Sequence, residues 1–169
     1  FSCNQTKHYD ILEERIVGLL DSEKGEFAVA YKNLSTGETI LINENEEFHA
    51  ASTMKTPVMI EAFKKNNEGL ISLDDSILIK NEFKSIVDGS IFKLSSFDDS
   101  DKKSYEKIGS YLTLKELIYD MITVSSNFAT NLVIDYIGTK EINNTMRSLV
   151  ANNINVLRGV EDIKAFNNG

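Results

Sequence analysis

A single β-hairpin with no further strands to extend it constrains this chain more than any other feature. Phe27-Ala-Val-Ala-Tyr31 and Glu38 to Ile42 read as strands, and Asn33-Leu-Ser-Thr-Gly37 between them is turn chemistry. A lone hairpin is marginal in water unless more strands or a packing surface cover it. The segment before it offers one surface. Asp10 to Leu20 carries Ile11, Leu12, Ile16, Leu19 and Leu20 at the spacing of one helix face, and Gly25 stops it. Nothing after Ile42 reads as strand. The expected order is helix, hairpin, then a mostly helical block, which makes the fold class α+β with an incomplete sheet.

The helical block is read from apolar spacing and stop signals. A helix is expected from about Ser52 to Asn66, with Met54, Val58 and Phe63 on its apolar face and Gly69 after it. Pro57 has no N–H and is cheap only in a first turn, so this helix should begin close to Ser52. Lys80 to Ser110 is polar, and its run Asp98-Asp-Ser-Asp101 lacks the glycine and terminal glutamate of a calcium loop; a solvated turn is expected. Thr113 to Thr123 places Leu114, Leu117, Ile118 and Met121 inward. Asn127 to Ile137 is a further helix closed by Gly138, and Thr139 to Val150 another, with Thr139 as its N-cap. From Asn152 the chain reads as irregular.

Composition narrows the function. The 169 residues suit one ordinary domain, and 41% apolar residues is normal for a globular chain. A net charge of −8 argues against the basic face of a nucleic-acid binder. No apolar run is long enough to read as a membrane helix. Cys3 is the sole cysteine, so no intramolecular disulfide can form. It follows Phe1-Ser2, and a small residue before a cysteine near the start of a mature chain resembles a bacterial lipoprotein processing site. On that reading Cys3 carries a lipid, the protein is secreted or periplasmic, and Cys3 is its only membrane anchor. Otherwise Cys3 is a chance residue in a frayed tail. His8, His49 and Cys3 lack metal-ligand spacing, and no Gly-rich phosphate loop occurs; neither metal nor cofactor is expected. His49, three residues before Ser52, reads as structural or solvent-facing rather than as a triad member.

Ser-x-x-Lys remains. It occurs four times, at Ser52/Lys55, Ser90/Lys93, Ser100/Lys103 and Ser104/Lys107. The last three lie in the polar stretch, where a solvated loop accounts for them. Only Ser52/Lys55 opens an amphipathic helix directly after a hairpin and loop. A serine hydroxyl needs a nearby base, and a lysine three residues on shares its helix face. Burial or nearby cations lower that lysine's pKa and let it accept the proton. A serine in the first helical turn can also offer its N–H to an oxyanion. The bland alternative is an N-cap serine and a surface lysine. Ser125-Ser126-Asn127, at the junction of two expected helices, can point a hydroxyl and an amide into a common pocket, or simply cap a helix. Glu161, 34 residues after Asn127, can activate a water, or be a surface glutamate.

Taken in this order, the segments resemble class A β-lactamases and their close serine-hydrolase relatives. The resemblance covers nearly the whole chain. It runs through Ala50-Ala-Ser-Thr-Met-Lys-Thr-Pro-Val-Met-Ile60, Met121-Ile-Thr-Val-Ser-Ser-Asn-Phe-Ala-Thr-Asn-Leu132 and Val156-Leu-Arg-Gly-Val-Glu-Asp162. Lys80 to Ser90 is similar to a subgroup known only as serine hydrolases. The resemblance implies a β-lactamase/transpeptidase-like fold. Residues 1–51 would be the helix and hairpin of its sheet domain, 52–155 its helical domain and 156–169 the start of its active-site loop. It implies that Ser52 forms the acyl-enzyme, Lys55 helps deprotonate it and Ser125 relays a proton to the leaving nitrogen. Asn127 would bind the substrate's side-chain amide, and Glu161 would position the deacylating water.

Three departures bear on that reading. Ser126 stands where the family's triplet has aspartate. Around Glu161 the Glu-Pro-x-Leu-Asn pattern is absent, and Ala165 falls where the water-holding asparagine would be. No Lys-[Ser/Thr]-Gly follows Asn127. In the family that triplet lies on a later strand, which also supplies the second oxyanion N–H, and losing one such donor costs about 10²–10³ in rate. The expectation is an N-terminal fragment of a β-lactam-opening enzyme, poorly active alone, whose sheet is completed by the missing half or a second copy. The alternatives are a D,D-peptidase or esterase acting on a peptidoglycan-like substrate, and a non-catalytic envelope binding module on the same scaffold.

Overall fold

The computed structural model describes residues 3–168, with side chains from Tyr9 onward. The lipid-attachment expectation falls on the side chain of Cys3, which lies outside the described residues. The chain divides into two compact units, one up to His49 and one from Ala50 onward.

In the first unit, helix α1 (Cys3–Leu20) precedes strands β1 (Val29–Lys32) and β2 (Thr39–Ile42). The strands pair antiparallel, Val29 opposite Ile42 and Lys32 opposite Thr39. Asn33 builds their turn: its side-chain oxygen accepts from the N–H groups of Ser35 and Thr36, and Gly37 takes the left-handed φ of 79° that closes it. Tyr9 of α1 accepts a hydrogen bond from Asn33 Nδ2 at 3.0 Å, and its ring stacks on Tyr31. The helix thus meets the hairpin through Tyr9, while Ile11, Leu12 and Leu19 of its apolar face stay exposed. It starts at Cys3 rather than Asp10, because polar residues such as Asn4 and Gln5 hide a helix from a reading based on apolar spacing.

The second unit holds the core. A 3₁₀ turn (Ala51–Met54) leads into α2 (Lys55–Asn67), followed by strands β3 (Ser76–Leu78), β4 (Phe83–Lys84), β5 (Ile91–Phe92) and β6 (Tyr111–Thr113). Then come α3 (Leu114–Thr123), α4 (Asn127–Ile137), α5 (Thr139–Ser148) and the short α6 (Ile163–Asn167). Helices α2, α3, α4 and α5 pack together. Val58, Leu114, Leu117, Met121, Phe128, Leu132 and Ile142 are among the residues at their centre. Phe128 is stacked under Tyr105 with centroids 4.4 Å apart. Thr113 and Glu116 form a reciprocal capping box on α3, and Ser126 caps α4 by accepting from the N–H of Ala129.

Several sequence expectations need correction here. The region after Ile42 does contain strands: β3 pairs with β6 and β4 with β5. Each is two or three residues long, too short for alternation to register in a sequence. The Asp98–Asp101 run is not a solvated turn, since Asp99 and Asp101 are buried, as is Ser104. Their carboxylates accept backbone N–H groups, which makes the burial tolerable. Ser52 stands in the 3₁₀ turn rather than in the α-helix, which begins at Lys55. Thr139 is not the cap of α5; Gly138 holds that position, with φ of 90° and no side-chain cap. The irregular tail carries α6, capped by Asp162.

Candidate active site

Three non-glycine residues at one place have left-handed backbones. Ala51 has φ of 45°, Ser125 of 56° and Glu161 of 62°. Such conformations cost about 1–3 kcal/mol each and persist where the surroundings over-determine them. Here they aim the side chains of three separate segments at one point.

The 3₁₀ turn that begins at Ala51 presents the Ser52 hydroxyl, 3.0 Å from Ser125 Oγ. Lys55, one turn further on the same side, is only 2% exposed. Its three ammonium protons meet three acceptors: the Ser125 carbonyl at 2.7 Å, Ser125 Oγ at 2.9 Å and Asn127 Oδ1 at 3.0 Å. Ser125 Oγ therefore lies between Ser52 and Lys55. Asn127, the first residue of α4, turns its other amide atom outward and donates from Nδ2 to Glu161 Oε1 at 2.7 Å. The structure brings Ser52, Lys55, Ser125, Asn127 and Glu161 into one hydrogen-bonded chain. The other Ser-x-x-Lys pairs take no part in it.

Burial pushes the Lys55 pKa down, and the nearby carboxylates of Asp99 and then Glu161 pull against that shift. A lysine so placed gives up its proton more readily than a surface lysine. With Ser125 Oγ in reach of both partners, a proton can pass between Ser52 and Lys55 along hydroxyls.

Several supporting residues carry no signal in the sequence. Asp99 accepts the main-chain N–H groups of Asn127 at 3.1 Å and Phe128 at 2.8 Å, and so seats the start of α4. Glu161 hangs on a tail clamped at four residues. Asn143 of α5 bonds the backbone of Val156 in both directions, and Asn131 of α4 does the same to Val160. Beyond Glu161, Asp162 accepts the N–H of Ile86 at 2.9 Å, and Lys164 reaches Asp88 and Ser90, each at 2.7 Å. Gly159 sits so close to Asn131 that a Cβ there would lie 2.4 Å from its Oδ1. An asparagine or glycine in helix or loop is too common for its spacing alone to reveal a clamp. Among the described residues no His, Cys, Asp and Glu cluster could hold a metal ion, and no helix is long and apolar enough to cross a membrane.

Residues 11–169 match a family model described as the beta-lactamase enzyme family. No curated protein matches the chain. Among solved structures, a β-lactamase from Sphaerobacter thermophilus is 28% identical with a TM-score of 0.69, over 88% of this chain and 52% of its own. A PBP-A variant solved as an acyl-enzyme complex with penicillin G is 25% identical with a TM-score of 0.72, over 92% of this chain and 55% of its own. An ancestral class A β-lactamase, 22% identical with a TM-score of 0.72 over 90% of this chain and 53% of its own, shares the fold. The chain spans about half the length of the structures it matches.

Proposed function

The chain belongs to the beta-lactamase enzyme family, and within that family of hydrolases we propose that it opens β-lactam rings through an acyl-serine at Ser52. The observation that carries this reading is the position of Ser125 Oγ, 3.0 Å from Ser52 Oγ and 2.9 Å from Lys55 Nζ. In the proposed reaction neutral Lys55 takes the Ser52 proton through Ser125 as Ser52 Oγ attacks the lactam carbonyl. The tetrahedral intermediate then collapses. The carbon–nitrogen bond breaks, and Ser125 protonates the leaving nitrogen while Lys55 restores the Ser125 proton. Asn127 binds the substrate's side-chain amide. Glu161 then removes a proton from a water that attacks the ester, and as the ester carbon–oxygen bond breaks that proton passes to Ser52 Oγ, which frees Ser52 and restores the Glu161 carboxylate. Removing a positioned base of this kind costs about 10²–10⁴ in rate, so Lys55→Met should slow acylation by that factor.

A second reading has its own support. Glu161 already spends Oε1 on Asn127, and Ala165 offers no amide to hold a water. The penicillin complex of the PBP-A variant is an acyl-enzyme. Slow deacylation would make the protein a D,D-peptidase or esterase that β-lactams trap. For the whole protein we propose turnover on a β-lactam or peptidoglycan-like acyl group. For this chain, with no Lys-[Ser/Thr]-Gly after Asn127, we propose a rate lower by about 10²–10³. We further propose export, with lipid on Cys3; an unmodified Cys3 in the mass spectrum of the natural membrane-derived protein would contradict it. The two enzymatic readings separate on penicillin G hydrolysis followed by absorbance. Steady turnover supports the lactamase, a single burst equal to the enzyme concentration supports the peptidase, and hydrolysis retained in Ser52→Ala refutes both.

A further inference from the structure

Asp99 lies in the loop after β5 and belongs to none of the motifs that point to the site. It is 4% exposed. Its Oδ1 accepts from the N–H groups of Asn127 and Asp101, each at 3.1 Å. Its Oδ2 accepts from Phe128 N–H at 2.8 Å and from the Tyr105 hydroxyl at 3.0 Å. Four donors thus fill the carboxylate, and all four are neutral. No ion pair among the described residues includes Asp99. A buried carboxylate needs an opposing charge as well as hydrogen bonds. The buried cation tied to the same helical turn is Lys55, which bonds Asn127 Oδ1 while Asp99 holds Asn127 N–H.

We propose that Asp99 is a positioning residue of this site, whose carboxylate seats the first turn of α4 and serves as the counter-charge of Lys55. In its catalytic consequence the proposal rests on the acyl-serine reading above. The turn itself supplies no carboxylate: the middle of the Ser125–Asn127 triplet is Ser126, whose hydroxyl is used as the cap of α4. The carboxylate comes instead from a different loop. Of the two carboxylates that pull the Lys55 pKa upward against its burial, Asp99 is the stronger and Glu161 of the tail the weaker. The other acidic groups nearby are engaged elsewhere. Asp101 bonds Ser104, Asp120 of α3 interacts with Asp101 and Lys107, and Glu61 of α2 bonds Thr145 of α5.

The test is a lysine and carboxyl titration by NMR on the chain itself. Labelled Lys55 Cε, assigned with Lys55→Arg, is followed against pH in the parent, in Asp99→Asn and in Tyr105→Phe. Asp99→Asn should lower the Lys55 midpoint by about one pH unit, whereas Tyr105→Phe, which keeps the charge, should leave it in place. In the parent, the Asp99 carboxyl carbon should show an inflection at the Lys55 midpoint, and this needs no variant to fold. The pH–rate profile of acylation should move to lower pH in Asp99→Asn along with that midpoint. A purely structural seat for α4 would reduce the rate without moving the profile. An unmoved Lys55 midpoint in folded Asp99→Asn, or a flat Asp99 carboxyl signal in the parent, overturns the proposal. If penicillin fails to acylate Ser52 in the parent, the acyl-serine reading fails, and the titration still decides the role of Asp99.

Discussion

Lys55 is a cation held almost out of water by neutral acceptors, and its chemistry follows from that tension. Only the neutral amine can take the Ser52 proton. The rate of acylation should therefore rise with pH through the Lys55 midpoint, which burial sets below that of an ordinary lysine. Stopped-flow acylation against pH checks this; a rate flat from neutral to strongly alkaline pH would exclude Lys55 as the base. Gly159 offers a second test at this scale. Gly159→Ala forces a methyl against Asn131 Oδ1 and should cost about 1–3 kcal/mol, read as a lower melting temperature, with loss of protection at the Val160 amide. Ser52, Lys55, Ser125, Asn127 and Glu161 became legible as candidates through the order of their segments, which resembles class A β-lactamases, since each residue alone reads equally as a cap or a surface group. Their left-handed backbones were not, because Ala51, Ser125 and Glu161 are not glycines and carry no mark of that conformation. Asp99 was hidden for a different reason: an acidic run reads as solvated until its backbone partners are seen.

At the scale of elements, the tail that carries Glu161 depends on the β4–β5 hairpin. Burial pushes the Asp162 carboxyl up, but hydrogen bonds from Ile86 N–H, Ser85 and Ala165 N–H outweigh it and hold the pKa below the ordinary value. Asp88 is held lower too, by Lys164 and Ser90. Groups with lowered folded pKa values stabilise fully above the ordinary carboxylate pKa of about 3.9, and that contribution is lost as pH falls through the lowered values. The strap should therefore hold across neutral and mildly acidic pH and loosen only in strong acid. Asp162→Ala strands the N–H groups of Ile86 and Ala165 and should cost about 1–3 kcal/mol. Because Glu161 is the adjacent residue, deacylation should slow more than acylation, and pre-steady-state kinetics would separate the two. Equal slowing of both steps would mean that the strap supports the fold and not Glu161. The helices were readable from their apolar spacing, α4 to the residue, because Leu132, Val133 and Ile137 pack inward and Gly138 stops them. The strands from Ser76 to Thr113 escaped because two or three residues cannot display a period.

Over the whole molecule, apolar burial is uneven. The central cluster draws only on residues from the unit that begins at Ala50. In the unit up to His49, Ile40 is the buried apolar residue among those described, while Ile11, Leu19, Leu41 and Phe48 are exposed. A cavity of about 700 Å³, lined by Val17, Leu20, Phe27, Ile42 and Phe48 among others, lies in that unit. A hairpin with so little covered surface is marginal. Amide exchange of β1 and β2 should accordingly be much faster than that of α3 and α4, and limited proteolysis between Asn43 and Ala50 should leave the second unit folded. Equal protection across both units would contradict this. The α+β class and the incomplete sheet were legible from one hairpin set against many helices. The change from hairpin to helical block places a boundary after Ala51 in the sequence, and the structure divides after His49.

The most direct test of the central claim is intact-mass analysis of this chain, and of the full-length product of its gene, after incubation with penicillin G. One penicilloyl mass should be added, mapped to the Ser52 peptide and absent in Ser52→Ala. No adduct on either protein, or an adduct that survives in Ser52→Ala, would contradict it.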